Sequence, residues 1–181
     1  VSQHDRDVDT LARTLWGEAR GEGLSGMEAV ACVILNRLAV AKDQNGFWWG
    51  DTVEKICRKS WQFSCWNEND PNSARLKSLS PVDIAFRAAL DIAEDAIDGL
   101  LVDMTHGATH YLNPKAVDIK PAWATGKPLA VIGKHHFYRP PEVPKPKQKE
   151  KEPCLTTSPP TPENSSPSLP LWSRLLHWLR T

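Results

Sequence analysis

Ten of the chain's fifteen prolines lie after Arg139, and this asymmetry decides how much of the chain can fold. Proline has no N–H and a fixed φ, so it interrupts helices and sheet ladders alike. From 140 to 168 the prolines alternate with Lys, Glu, Ser and Thr, a mixture with too little apolar surface to offset the entropy of ordering. That stretch, 140–168, reads as a disordered linker. It leaves 1–139 as the globular domain and 169–181 as a separate short segment, the arrangement of one domain with an appendage that 181 residues accommodate.

Within 1–139 the helical patterning is strongest at the start. The first helix is expected to begin at Asp7 or Asp9, either of which can cap free N–H groups, and to bury Leu11, Ala12, Leu15, Trp16 and Ala19 before Gly21 and Gly23 end it. Ser25 and Glu28 have capping-box spacing, and Met27, Val30, Ala31, Ile34, Leu35 and Leu38 then form the apolar face of a second helix. Ser80-Pro-Val-Asp83 predicts the start of a third, with Pro81 at its first position, Ile84, Ala88, Ala89, Ile92, Ala96 and Ile97 inward, and Gly99 closing it. Between them, Gln44 to Asn72 is irregular and rich in Trp, Asn and Asp, as in an ordered loop with short helices around Val53–Cys57, and long ordered loops are often functional. After Gly99, the runs 109–112, 129–132 and 136–138 predict a small hairpin or strand pair. The fold class is α+β, predominantly α.

Lys plus Arg and Asp plus Glu each number 22, for a formal net charge of zero. The first 139 residues hold 16 basic and 18 acidic side chains, so no field draws the domain to nucleic acid and none is expected as a partner. No apolar run approaches the roughly 18 to 20 residues of a membrane span. The opening residues lack the basic and apolar regions of a secretory signal, so either the chain is made in the cytoplasm without one or a leader has been removed. Four cysteines are too few for a disulfide scaffold.

One side chain is out of keeping with its place. Leu11, Leu15 and Glu18 step by four and three, so a carboxylate continues a buried apolar stripe. It also lies near a helix C-terminus, where the dipole disfavours negative charge. A carboxyl at the edge of an apolar floor is favoured in its protonated form, as a general acid requires. The structural alternative is a surface glutamate paired with Arg20 or Arg13, and spacing alone leaves both open.

The segments Gly17-Glu-Ala-Arg-Gly-Glu22 and Gly26-Met-Glu-Ala-Val-Ala-Cys-Val-Ile-Leu-Asn-Arg37 resemble the cell wall hydrolases related to spore cortex-lytic enzymes. The resemblance continues through Trp61-Gln-Phe-Ser-Cys-Trp66, Gly107-Ala-Thr-His-Tyr111 with Asn113, and Ile132-Gly-Lys-His-His-Phe-Tyr138. It departs at Lys134, where the pattern Gly-Asn-His has Asn. It implies a lysozyme-like fold that cuts the MurNAc to GlcNAc bond of peptidoglycan, with Glu18 at the catalytic position. It further suggests a lytic transglycosylase, in which one glutamate protonates the glycosidic oxygen and then takes the proton from the muramyl 6-hydroxyl. Gln62, Ser64, His110, Tyr111 and Asn113 are the candidate sugar-groove residues, although Gln62 and Asn113 could equally satisfy loop backbone and Tyr111 could equally be core.

Two further readings compete. A hydrolytic muramidase needs a second carboxylate, about 5 to 9.5 Å from the first, and Glu22 is the obvious one, unless it is a loop residue or pairs with Arg20. A non-catalytic peptidoglycan-binding or phage structural module needs no such acid. His106, His110, His135, His136, Cys57 and Cys65 offer no CxxC or HExxH spacing, so no metal or other cofactor is expected, and Cys57 and Cys65 are read as paired buried thiols or a disulfide formed after export. At 169–181, Leu171, Trp172, Leu175 and Trp178 lie on one helical face opposite Arg174 and Arg180, a pattern suited to a membrane surface or to a protein groove. A wall-degrading domain without an evident leader fits a phage-like endolysin.

Overall fold

The computed structural model describes residues 1–146. The greater part of the expected linker, from 147 on, and the 169–181 helix with Leu171, Trp172, Leu175 and Trp178 lie outside the described residues. Among the described residues, five helices come in chain order: α1 (Gln3–Ala19), α2 (Gly23–Asp43), α3 (Val53–Cys57), α4 (Ser73–Ser78) and α5 (Ile84–Ile97). Short 3-10 turns occupy Arg20–Glu22 and Ser64–Trp66, and the strands β1 (His110–Leu112), β2 (Ala130–Ile132) and β3 (His135–Tyr138) follow.

The α1 helix starts earlier than Asp7. Ser2 Oγ accepts from Asp5 N–H at 3.0 Å and Asp5 returns the bond to Ser2 N–H at 3.0 Å, a reciprocal cap that satisfies two free donors at once. The helix then buries Leu11, Leu15 and Trp16 against α5, α2 and α3, each such side chain contributing about 1.5–3 kcal/mol by leaving water. The Ser25–Glu28 pair does not start α2. The turn at Arg20–Glu22 feeds straight into the helix at Gly23, whose φ of 73° separates it from α1, and no side chain caps it. At α5 the cap is Asp83, accepting from Phe86 N–H at 3.0 Å, so Ser80 and Pro81 stay in the preceding turn. Ala89, Ile92 and Ala96 face inward as expected, together with Phe86 and Ala93, whereas Ile84 in the first turn is 86% exposed, contrary to the sequence pattern.

One 18-residue stretch within Gln3–Asp43 reaches a mean hydropathy of 1.5, enough for a membrane span by length and composition, where inspection of the sequence found no such run. Of this stretch 61% is buried inside the fold. The α2 helix packs against α1, α3 and α5, with the sheet on a further side, and a helix covered on several sides carries apolar residues nearly all round.

The expected strand pair is a three-stranded antiparallel sheet of order β1-β3-β2. Tyr111 and Ala130 both pair with Phe137 on the central strand, and Phe137 packs on Ala29, Val33 and Ala108, fixing the sheet to α2. Val143 is buried in the main core, so the packed unit continues past the boundary expected at 139. The fold is helix-rich with a small sheet, and the sheet stands beside the end of α1.

Candidate active site

Glu18 lies in the last turn of α1, half-buried. The turn Ser64–Trp66 is laid against that end of the helix because residue 17 is glycine: a Cβ there would stand 2.4 Å from Cys65 Cβ and 2.8 Å from its sulfur. The close approach aims donors at the carboxylate. Its Oε1 accepts from Cys65 N–H at 3.1 Å and from the Ser64 hydroxyl at 3.4 Å. Its Oε2 accepts from the Tyr111 hydroxyl, on β1, at 3.0 Å. Burial first and the Glu18 carboxylate second push the Tyr111 phenol well above its ordinary value, so it remains a donor at any working pH.

Neither arginine pairs with Glu18. Arg13 binds Asp9 and the carbonyls of Leu76 and Leu79, while Arg20 lies over the Trp16 ring, 4.0 Å from its centroid, and donates to Trp16 O, Gly17 O and Asn72 Oδ1. Among the described residues, all donors to the Glu18 carboxylate are neutral groups.

Glu18 opens onto a cleft of about 840 Å³, and Gln62, Ser64, His110, Tyr111 and Asn113 line it too. The five residues come from two distant sequence blocks, 61–66 and 107–113, and meet because β1 and the 44–72 loop flank the end of α1. Asn113 also accepts from Lys115 N–H at 3.0 Å, so it holds its own loop as well. Gln62 accepts not from backbone but from the Arg37 guanidinium at 3.2 Å. The His110 imidazole, 3.0 Å from Thr109 Oγ1 through Nδ1, is pushed down to about 4 by burial and then by Arg37, so it is neutral at physiological pH.

Glu22 is not among the residues that line this cleft. It is held by Lys134 instead of Arg20, through the backbone N–H at 3.0 Å and Nζ at 3.1 Å. Gly133, at φ 57°, permits the approach, since a Cβ there would stand 2.5 Å from Glu22 Oε2. The departure at Lys134 thus creates an ion pair, and its two hydrogen bonds hold the Glu22 carboxyl below the usual range. Cys57 and Cys65 are buried free thiols, with no disulfide between them. His135 and His136 are on β3, and His106 lies in the loop between α5 and β1.

Inspection of the sequence missed Arg37, Trp48, Trp61, Trp123 and Glu142, which also line the cleft. Trp61 is the most telling. Its φ of 66° is a left-handed conformation that costs a non-glycine residue about 1–2 kcal/mol, and it leaves the indole 81% exposed on the rim. Strain and solvent exposure of a large ring are unfavourable in the free protein and become useful when a ligand covers the ring. Arg37 had a signal, a cation inside an apolar helix face. Glu142 had none, because it sits within the proline-rich composition.

Residues 21–138 match the family described as Cell Wall Hydrolase, a span that begins just after Glu18. The spore cortex-lytic enzyme of Halalkalibacterium halodurans is 34% identical over 134 residues, which are 74% of this chain and 34% of that protein. The Bacillus subtilis spore cortex-lytic enzyme is 31% identical over 134 residues, 74% of this chain and 37% of its own length. The chain thus matches little more than a third of the length of these two relatives. Among solved structures, the catalytic domain of the germination-specific lytic transglycosylase SleB from Bacillus anthracis superposes with a TM-score of 0.53 at 31% identity, covering 77% of this chain and 97% of that domain. The catalytic domain of the Bacillus cereus SleB protein gives a TM-score of 0.53 at 32% identity, covering 77% and 92%. The chain belongs to the cell wall hydrolase family of enzymes.

Proposed function

We propose that this domain cleaves peptidoglycan glycan strands between MurNAc and GlcNAc as a lytic transglycosylase, with Glu18 as its single acid and base. The observation that carries the reading is a half-buried carboxyl held only by neutral donors in a cleft walled by indoles. Flat apolar rings suit the faces of sugar rings, and Trp48, Trp61 and Trp123 offer them along one groove. The SleB catalytic domain, titled a lytic transglycosylase, supports the same reading.

In the first step Glu18 gives its proton to the glycosidic oxygen and the bond from that oxygen to muramyl C1 breaks. The charge left on Glu18 is stabilised by the Cys65 N–H, the Ser64 hydroxyl and the Tyr111 hydroxyl, donors already in place before the reaction. In the second step the muramyl 6-hydroxyl gives its proton to Glu18 while its oxygen attacks C1, closing a 1,6-anhydro ring. Glu18 ends protonated, as it began, and no water is consumed.

A hydrolytic reading has one observation in its favour: Glu142 is a second carboxylate lining the cleft. It would replace Glu22 as the group that activates water. The experiment that tests enzymatic function is incubation of purified protein with isolated sacculi, with soluble muropeptides measured by chromatography. Release of glycan fragments is expected. Tight binding to sacculi without release would favour a peptidoglycan-binding module.

A further inference from the structure

Among the described residues, Arg37 is the charged side chain enclosed most completely, 4% exposed, and none of the ion pairs there includes it. Its Nε donates to Thr109 O at 2.7 Å and its Nη1 to Gln62 Oε1 at 3.2 Å. The guanidinium lies 5.4 Å from the Trp49 ring centroid and 5.3 Å from that of Phe63. Every one of these partners is neutral. Burial pushes the group down to about 10, which still leaves it a cation at neutral pH. A buried charge without a counter-charge is costly, and stability alone would replace it with an apolar side chain in so aromatic a setting.

Arg37 lines the same cleft as Glu18 and Gln62. A guanidinium has five N–H donors and no acceptor, and two of its nitrogens are used. It also fixes the orientation of the Gln62 amide: the oxygen must face Arg37, so the Nε2 donors are the part of that amide left for a ligand. Cation and amide together form a donor-only pair, suited to an acceptor with two oxygens. In a strand of alternating GlcNAc and MurNAc, the hydroxyls and acetamides of both sugars are neutral. The lactyl ether of the muramyl residue alone brings a carboxyl group to the ring.

We propose that Arg37 and Gln62 form a subsite in the cleft for the lactyl carboxyl group of a muramyl residue. The proposal rests on the peptidoglycan reading above. It makes the missing counter-charge of Arg37 a property of the substrate, and it distinguishes a muramyl sugar from the otherwise similar N-acetylglucosamine. When the carboxyl is free it pairs with the cation, and when it is amidated by a stem peptide its carbonyl oxygen accepts from the same donors more weakly.

The test uses full-length Glu18→Gln protein, titrated with the disaccharide GlcNAc–MurNAc and with di-N-acetylchitobiose, which lacks the lactyl group. The muramyl disaccharide should bind at least about tenfold more tightly, the gain of one charge-assisted hydrogen bond in a desolvated site. Adding Gln62→Glu supplies Arg37 with a carboxylate from within the protein. That substitution should raise Tm and abolish the preference. Equal affinity for the two sugars, no binding of either at millimolar concentration, or a preference that survives Gln62→Glu would overturn the proposal. Release of muropeptides by the wild-type protein is measured separately. Failure there removes the enzymatic reading, whereas failure of the sugar preference alone removes only this subsite.

Discussion

The last turn of α1 and the 3-10 turn after it each carry a glutamate, four residues apart, and the two carboxylates are held in opposite ways. Glu18 accepts from a backbone N–H and two hydroxyls. Glu22 accepts from a backbone N–H and an ammonium group. The donors to Glu18 are all neutral, whereas one of the two donors to Glu22 is a cation. The Lys134 backbone N–H first and its ammonium group second hold the Glu22 carboxyl below the usual range. The two sites also differ in what surrounds them, because Glu18 opens on the aromatic cleft and Glu22 lies against the β2–β3 turn. The same residue type in one short motif is thus held open to a cleft in one case and tied to a loop in the other, and the partner groups make the difference.

The largest effect should come from Glu18→Gln. The amide keeps the shape and cannot transfer the proton, so muropeptide release should fall by at least about 100-fold, with Tm nearly unchanged. Near wild-type release from the purified variant would remove Glu18 as the acid. Next in size is Gly17→Ala, which puts a methyl group into Cys65. Overpacking of this kind costs about 1–3 kcal/mol, so Tm should fall, and activity should fall further because the Cys65 N–H is moved off the carboxylate. Unchanged thermal unfolding would show that the turn is not pressed against α1 as described.

Tyr111→Phe should be milder, about tenfold in release, since the Glu18 carboxylate loses one of its three donors. The smallest effect on activity should be that of Glu22→Gln, within about twofold, because this carboxylate does not line the cleft. Its signature is in stability. A depressed carboxyl stabilises the fold above the carboxyl's unfolded-state range and ceases to do so as pH falls through its folded value. The wild-type protein should therefore melt above Glu22→Gln at neutral pH, and the gap should close as pH falls below the ordinary glutamate range. A gap that is independent of pH would contradict the ion pair with Lys134.

Much of this comparison was legible in the sequence. The three-helix frame follows from apolar periodicity, and Glu18 stood out because a carboxylate interrupts a buried stripe. The helix starts were less legible. Ser2 with Asp5, and Asp83 alone, cap α1 and α5, and several nearby Ser and Asp residues had equal claims until tertiary packing chose. The fate of Glu22 could not be read at all, since its partner Lys134 is 112 residues away. Arg37 carried the same kind of signal as Glu18, a charge inside an apolar helix face, but its partners Thr109 and Gln62 lie 72 and 25 residues away and no local spacing points to them.

The central claim is that one glutamate suffices because the substrate's own hydroxyl replaces water. It is tested most directly by digesting sacculi with the wild-type protein in water enriched in oxygen-18 and analysing the muropeptides by mass spectrometry. Cleavage by Glu18 alone should leave 1,6-anhydromuramyl ends with no incorporated label. Reducing muramyl ends carrying one oxygen-18 would contradict it and would make Glu142 the carboxylate to remove next.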